Sequence, residues 1–211
     1  MSETILYDYW RSSASYRLRI ALNLLGVSYR AVSVDLLAGE QKSPEHLARN
    51  PQGLVPVLEI DGLRLTQSLA ILTYLNDTRS AGWMPADPGA RAQIEALAQA
   101  IAMDIHPICN SGTVAYVAQI TGGKENVRED WMARFIRPGL EAFETLLGGF
   151  EQAPYCCGDT PGLADICLLP QVYNARRWGV EIDDLPRIMG VVAACEAHPA
   201  FVAAYPENVQ P

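Results

Sequence analysis

Apolar and polar positions follow two different rhythms along this chain, and the change falls near residue 82. Before it, short β-prone runs and helical periodicities take turns. Ile5-Leu6-Tyr7 is a strand-like run, followed by the polar Arg11-Ser12-Ser13 and a helical pattern over 15–25. In that pattern Leu18, Ala21, Leu22 and Leu25 recur at spacings of three and four and so share one face. Gly26 stands where a glycine in the left-handed conformation ends such a helix. Residues 29–34 read as a second strand. Ser43-Pro44-Glu45 then opens a short helix, with a hydroxyl to cap it and a proline at its first position. The apolar runs 55–60 and 63–65 flank Asp61-Gly62, a dipeptide suited to the two positive-φ positions of a tight hairpin. Ser68 is expected to cap a helix carrying Leu69, Leu72, Tyr74 and Leu75.

From Gly82 to Pro88 turn formers dominate, as in a linker. Beyond them the patterns are helical only, over 90–105, 114–119, 129–147, 163–178 and 185–197, with no convincing strand, tandem repeat or low-complexity tract. The order βαβ, helix, ββα predicts a small mixed sheet with helices packed on it, so the expected organisation is an α/β domain over 1–81 and an all-α domain over 88–211.

Composition narrows the function classes. A hydrophobic fraction of 49% with 19% charged residues is that of an ordinary globular protein. The net charge of −8 argues against nucleic-acid binding, which needs a basic face, but leaves room for a local anion pocket. The apolar runs are too short to span a membrane, and Met1-Ser2-Glu3-Thr4 lacks a signal peptide's basic and apolar regions, so a cytoplasmic protein is expected. The five cysteines form no C-x-x-C pair and have no zinc-site spacing, so they read as buried, inert thiols and no metal is expected. His46 and His198 are expected at the surface, and Trp131 with Phe135 in the core. His106, just before Pro107, suits either a helix end or a substrate contact.

Three features carry chemistry. Ser12, Ser13 and Ser15 lie at the start of the first helix, where unpaired N–H groups and the helix dipole can hold an anion; simple capping is the plainer use of such serines. Pro56 enters a strand that should lie inside the sheet, which fits a cis turn at Val55–Pro56 or, alternatively, an edge strand. A cis turn would offer the backbone of Val55 to an extended peptide. Gln67-Ser68 opens the next helix, where a serine can close the helix or leave N–H groups for a carboxylate.

The segment from Ser12 through Ser15-Tyr16-Arg17-Leu18-Arg19 to Leu22 resembles the signature of zeta-class glutathione transferases. Asn50-Pro51 before Val55-Pro56, Gln67-Ser68-Leu69-Ala70-Ile71, Gly158-Asp159 before Ala164-Asp165, Pro170-Gln171-Val172 and Asn174-Ala175-Arg176-Arg177 are similar to further blocks of that class. The resemblance spans nearly the whole chain. It implies the glutathione transferase fold, a thioredoxin-like domain followed by a helical one, and a homodimer. It also implies glutathione as cofactor and maleylacetoacetate isomerase activity, part of tyrosine and phenylalanine catabolism.

By that resemblance Ser12, Ser13, Ser15 and Arg17 face the glutathione sulfur. Val55 and Pro56 meet the tripeptide backbone, Gln67 and Ser68 the γ-glutamyl end, and Gln41 the glycyl end. His106, Asn110 and Arg177, or its neighbour Arg176, face the second substrate, a small anionic diketo acid or another electrophile. Reversible addition of the thiolate would make the cis double bond single long enough to rotate. Three departures stand out: Ala14 replaces the signature's usual cysteine, Ser111-Gly112 replaces arginines found in maleylpyruvate isomerases, and Gly162 replaces a capping threonine. A general glutathione transferase or peroxidase, or a maleylpyruvate isomerase, would use the same glutathione residues.

Overall fold

The computed structural model describes residues 3–151 and 153–211. Strand β1 (Ile5–Asp8) leads through α1 (Ser13–Leu24) to β2 (Arg30–Ser33); a 3-10 turn (Glu40–Lys42) and α2 (Pro44–Arg49) precede β3 (Val57–Ile60), β4 (Leu63–Thr66) and α3 (Ser68–Arg79). The sheet order is β2-β1-β3-β4, with β1 and β2 parallel and the other neighbours antiparallel. Leu6 pairs across with Ala31 and Leu58, and Leu58 with Leu65. Leu6 and Leu58 are fully buried, as are Leu18, Ala21 and Leu22 of α1. This is the mixed sheet that the hydrophobic pattern predicts.

Local chemistry explains the turns. Gly26 (φ 62°) closes α1, its N–H donating to the Asn23 carbonyl and that of Val27 to the Leu22 carbonyl. This double bond satisfies the last carbonyls of the helix. Asp61 (φ 54°) and Gly62 (φ 78°) both take the left-handed conformation that the hairpin needs. The Ser43 hydroxyl accepts from the His46 N–H and caps α2.

The remaining helices are α4 (Pro88–Ala102), α5 (Ser111–Ile120), α6 (Val127–Leu147), α7 (Leu163–Arg177), α8 (Pro186–Ala197) and α9 (Pro199–Ala204). Helix α4 begins two residues before its apolar pattern does, because the Asp87 carboxylate caps it at the Ala90 N–H (2.8 Å). Leu97 and Ile101 of α4, Ile136, Leu140 and Phe143 of α6, and Ile166 and Val172 of α7 are buried. Where α6 passes Ile105, a Cβ on Gly139 would lie 2.5 Å from the isoleucine Cδ1, so only glycine fits without movement. Trp131 and Phe135 are half-buried rather than core: their rings touch at 4.7 Å and the Trp131 Nε1 donates to the Ile108 carbonyl. Met132 and Ile136, on the next face of α6, hold the core positions instead.

The described residues through Ala81 form one compact unit together with Ala197–Pro211, and Gly82–Glu196 form another. The helical unit thus ends earlier than the 88–211 read from the sequence. The cause is α9, too short to show a period. It packs on α1, accepting at the Ala204 carbonyl from Arg19 Nε (3.1 Å) and at the Ala200 carbonyl from Asn23 (3.1 Å). Among the described residues no helix is long and apolar enough to cross a membrane.

Candidate active site

The site residues expected in the first unit lie at the start of α1, in the 3-10 turn, in the loop before β3 and at the start of α3. Ser12 ends the loop after β1: its N–H donates to the Tyr9 carbonyl (2.8 Å), and its hydroxyl accepts from the Ser15 N–H (3.3 Å), capping α1. Ser13 opens the helix and is buried. Ser15 is fully buried, and its hydroxyl has no hydrogen-bond partner among the described residues. Arg19 holds this loop from below. Its guanidinium donates to both oxygens of Asp8 (2.8 Å each) and to the Trp10 carbonyl (2.8 Å).

Arg17, 2% exposed, reaches across to α3, where its Nη1 donates to the Ser68 hydroxyl (3.2 Å). Two segments fifty residues apart, each singled out from sequence alone, are therefore in direct contact. Ser68 differs from expectation in one respect. It is the first residue of α3 and not its cap; that position belongs to Gln67, which makes no capping bond. Gln67 sits at φ 68°, ψ 107°, a conformation that side-chain-bearing residues rarely adopt. A strained, capless helix start leaves first-turn N–H groups for an anion.

The peptide bond Val55–Pro56 is cis, and Pro56 precedes a central strand, not an edge. Val55 lies just before the first ladder pair, Tyr7 with Val57. In the loop that leads to it, Gln52 Oε1 accepts from Gln67 Nε2 (2.8 Å). Gln41 joins the same cluster, because its carbonyl is packed so close to Gly53 that a Cβ there would be 2.9 Å away. Its Nε2 donates to the Leu36 carbonyl (3.4 Å), while its Oε1 is buried without a partner among the described residues.

Sequence reasoning missed one residue here. His46 is not at the surface: it is 1% exposed, with Nε2 3.0 Å from the Leu54 carbonyl. The signal was its position, three residues after the Ser43 cap of a helix that ends at the Val55–Pro56 loop. His198 is half-buried and caps α9 through Nδ1, which accepts from the Ala200 N–H (3.2 Å).

In the second unit the four expected substrate residues have separate circumstances. Asn110 caps α5: its Oδ1 accepts from the Thr113 N–H (2.9 Å) and its Nδ2 donates to the Pro107 carbonyl (2.7 Å). His106 is half-buried in the turn preceding that cap. Arg176 and Arg177 are exposed at the end of α7; Arg176 pairs with Glu196, whereas Arg177 lies over the Trp178 ring at 5.1 Å. The start of α7 is closed by Asp165, which accepts from the N–H groups of Cys156 (2.9 Å) and Gly162 (2.8 Å). Burial raises the Asp165 carboxyl above its ordinary pKa, and these donors partly counter it. Gly162 has no side chain to return the bond that a threonine would make.

Burial also raises the thiols, to about 11 for Cys109 and about 12 for Cys157, with Cys156 and Cys195 raised as well. They are poor nucleophiles. Among the described residues no group of three or more His, Cys, Asp or Glu could hold a metal ion.

Comparison with known proteins agrees with this geometry. Residues 2–77 match the glutathione S-transferase N-terminal domain and residues 125–204 the C-terminal domain. The maleylacetoacetate isomerase of Rhizobium meliloti is 56% identical, over 100% of this chain and 99% of that one. Two solved structures superpose closely. One is a bacterial maleylpyruvate isomerase described as a zeta-class glutathione S-transferase (40% identity, TM-score 0.92, 98% of each chain covered). The other is a maleylacetoacetate isomerase from Methylobacterium extorquens AM1 with bound malonate and GSH (37% identity, TM-score 0.91, 98% of each chain covered). With both domains matched, near-complete coverage and the signature loop in place, this chain belongs to the zeta-class glutathione transferase family.

Proposed function

We propose that this protein is a glutathione-dependent isomerase that converts the cis double bond of maleylacetoacetate into the trans bond of fumarylacetoacetate. The observation that carries the reading is the 56% full-length identity to a maleylacetoacetate isomerase. The same reading makes it a cytoplasmic homodimer acting in tyrosine and phenylalanine breakdown.

The chain's own residues fit glutathione. The tripeptide brings two carboxylates, an amine, an extended backbone and a thiol. The capless start of α3, with Gln67 and Ser68, suits the γ-glutamyl end. Val55 suits the backbone, and Gln41, whose buried Oε1 is unmatched among the described residues, suits the glycyl end. The start of α1 suits the sulfur, since the buried Ser15 hydroxyl there is likewise unmatched. When bound, glutathione supplies a thiolate that adds reversibly to the conjugated double bond and leaves unchanged.

What the protein must do is hold negative charge. An ordinary thiol ionises near ~8.5, and lowering that by roughly two units requires about 2.7 kcal/mol of differential stabilisation. Ser12 and Ser13, the first turn of α1 and the Arg17 guanidinium are charged or dipolar groups suited to that task. Ala14 leaves no protein thiol to compete. In the second unit Arg177, or its neighbour Arg176, which pairs with Glu196, is the arginine for a substrate carboxylate. Asn110, which also caps α5, and His106 are the 106–110 turn's candidates for a contact to the second substrate.

A maleylpyruvate isomerase is the second reading, favoured by the 40% identical structure of one; Ser111-Gly112 after Asn110 counts against it. The test is isomerisation of both substrates with and without glutathione. Turnover of maleylacetoacetate that requires glutathione but does not consume it is the expected result. Stoichiometric consumption would make the protein a general transferase.

A further inference from the structure

We infer that His46 is a positioning residue for glutathione recognition: with Asn50 it holds the Leu54 carbonyl and so sets the loop that presents Val55. The inference rests on the reading of Val55 and Gln67 as glutathione contacts. Helix α2 ends at Arg49, and Asn50, 3% exposed, closes it by donating its N–H to the His46 carbonyl (2.8 Å). Two side-chain donors then converge on one oxygen, that of Leu54: His46 Nε2 at 3.0 Å and Asn50 Nδ2 at 2.9 Å. A carbonyl can only accept, so Nε2 carries a proton and donates it.

The same loop is held along its length. Asn50 Oδ1 accepts from the Gln52 N–H (3.1 Å), the Asn50 carbonyl accepts from the Gly53 N–H (2.9 Å), and the Gln52 side chain accepts from Gln67 (2.8 Å). The clamp therefore reaches both Val55, next in sequence to Leu54, and Gln67 across the loop. Packing alone does not call for a histidine. Its Nδ1 is buried without a hydrogen-bond partner among the described residues, a cost that a phenyl ring in the same space would avoid. The imidazole's distinctive contribution is the bond from Nε2, which restricts the peptide entering the cis Val55–Pro56 bond.

The test compares the full-length wild type with His46→Phe, which keeps the ring and removes the donor, and His46→Gln, which keeps a donor. Glutathione affinity is read by calorimetry, fold by circular dichroism and thermal melting, and KM for each substrate by steady-state kinetics. Losing one neutral hydrogen bond should weaken glutathione binding about threefold to tenfold in His46→Phe. KM for glutathione should rise in step, with KM for the second substrate unmoved and His46→Gln within about twofold of wild type. If the phenyl variant does not fold, His46→Leu is read in its place. Wild-type affinity in the donor-free variant overturns the inference, as does an equal loss in His46→Gln, because the donor would then be irrelevant. Failure of the wild type to bind glutathione would instead overturn the functional reading itself.

Discussion

Helices α3 and α7 both begin without a capping side chain at the cap position, yet their first turns have opposite fates. At α7, Gly162 offers no side chain, and Asp165 folds back onto the Gly162 and Cys156 N–H groups. At α3, Gln67 makes no capping bond, holds a positive φ, and leaves Ser68 to meet Arg17. One start is sealed by a buried carboxylate from its own first turn. The other has no such carboxylate, and its side chains turn towards neighbouring loops. A capless helix start is thus a structural joint where an internal anion closes it and a candidate anion site where none does.

Perturbing each start should separate stability from binding. Asp165→Ala strips the buried Cys156 N–H and the part-buried Gly162 N–H of a charged acceptor, at about 1.5–3 kcal/mol each. We expect a loss of about 3–6 kcal/mol in urea denaturation, a large part of a domain's total stability. A loss below about 1 kcal/mol would end the contrast. Ser68→Ala removes one acceptor from the buried Arg17, so it should cost less stability than Asp165→Ala, and should weaken glutathione binding by about 0.5–2 kcal/mol, read by calorimetry. Unchanged affinity in both Ser68→Ala and Gln67→Ala would remove α3 from the site.

The conformation of Gln67 gives a sharper version. Gln67→Gly relieves the positive φ and should leave stability unchanged or slightly raised, by up to about 1 kcal/mol, while glutathione affinity falls. A residue kept for stability would show the reverse pattern.

The start of α1 lies between these cases, since Ser12 caps it and Ser13 and Ser15 are buried beside it. Thiolate absorbance titration should show bound glutathione ionising well below the free tripeptide. Ser13→Ala should raise that bound pKa and slow turnover most at low pH, where thiolate is scarcest. Ser12→Ala should add about 1 kcal/mol of destabilisation from the lost cap. Three coincident titration curves would assign the activation to the helix dipole or Arg17.

The last contrast concerns the protein's own thiols. With Cys109 at about 11 and Cys157 at about 12, both are almost wholly protonated at pH 8. Alkylation of the native protein should be slower than that of the unfolded chain by about two orders of magnitude or more, and should quicken as pH rises. Rapid labelling of native protein at pH 8 would contradict this and reopen the choice of nucleophile.

Much of this was legible in the chain itself. Hydrophobic periodicity determined α1 and the long helices, and the Asp61-Gly62 dipeptide the hairpin, because these depend on neighbours a few residues away. Signature residues Ser12 to Arg17 and Gln67-Ser68 were legible as candidates because helix starts carry recognisable residue types. What only the tertiary structure decided depends on distant partners. Ser68 meets Arg17 instead of capping its helix, Asn110 is a cap, and His46 is buried on the Leu54 carbonyl. Residues 197–211 belong with the first unit because α9 accepts from Arg19 and Asn23 of α1, contacts between residues some 180 positions apart. A local pattern states which face of an element is apolar; it cannot state which distant donor will find a given carbonyl, because that is settled only when the elements pack.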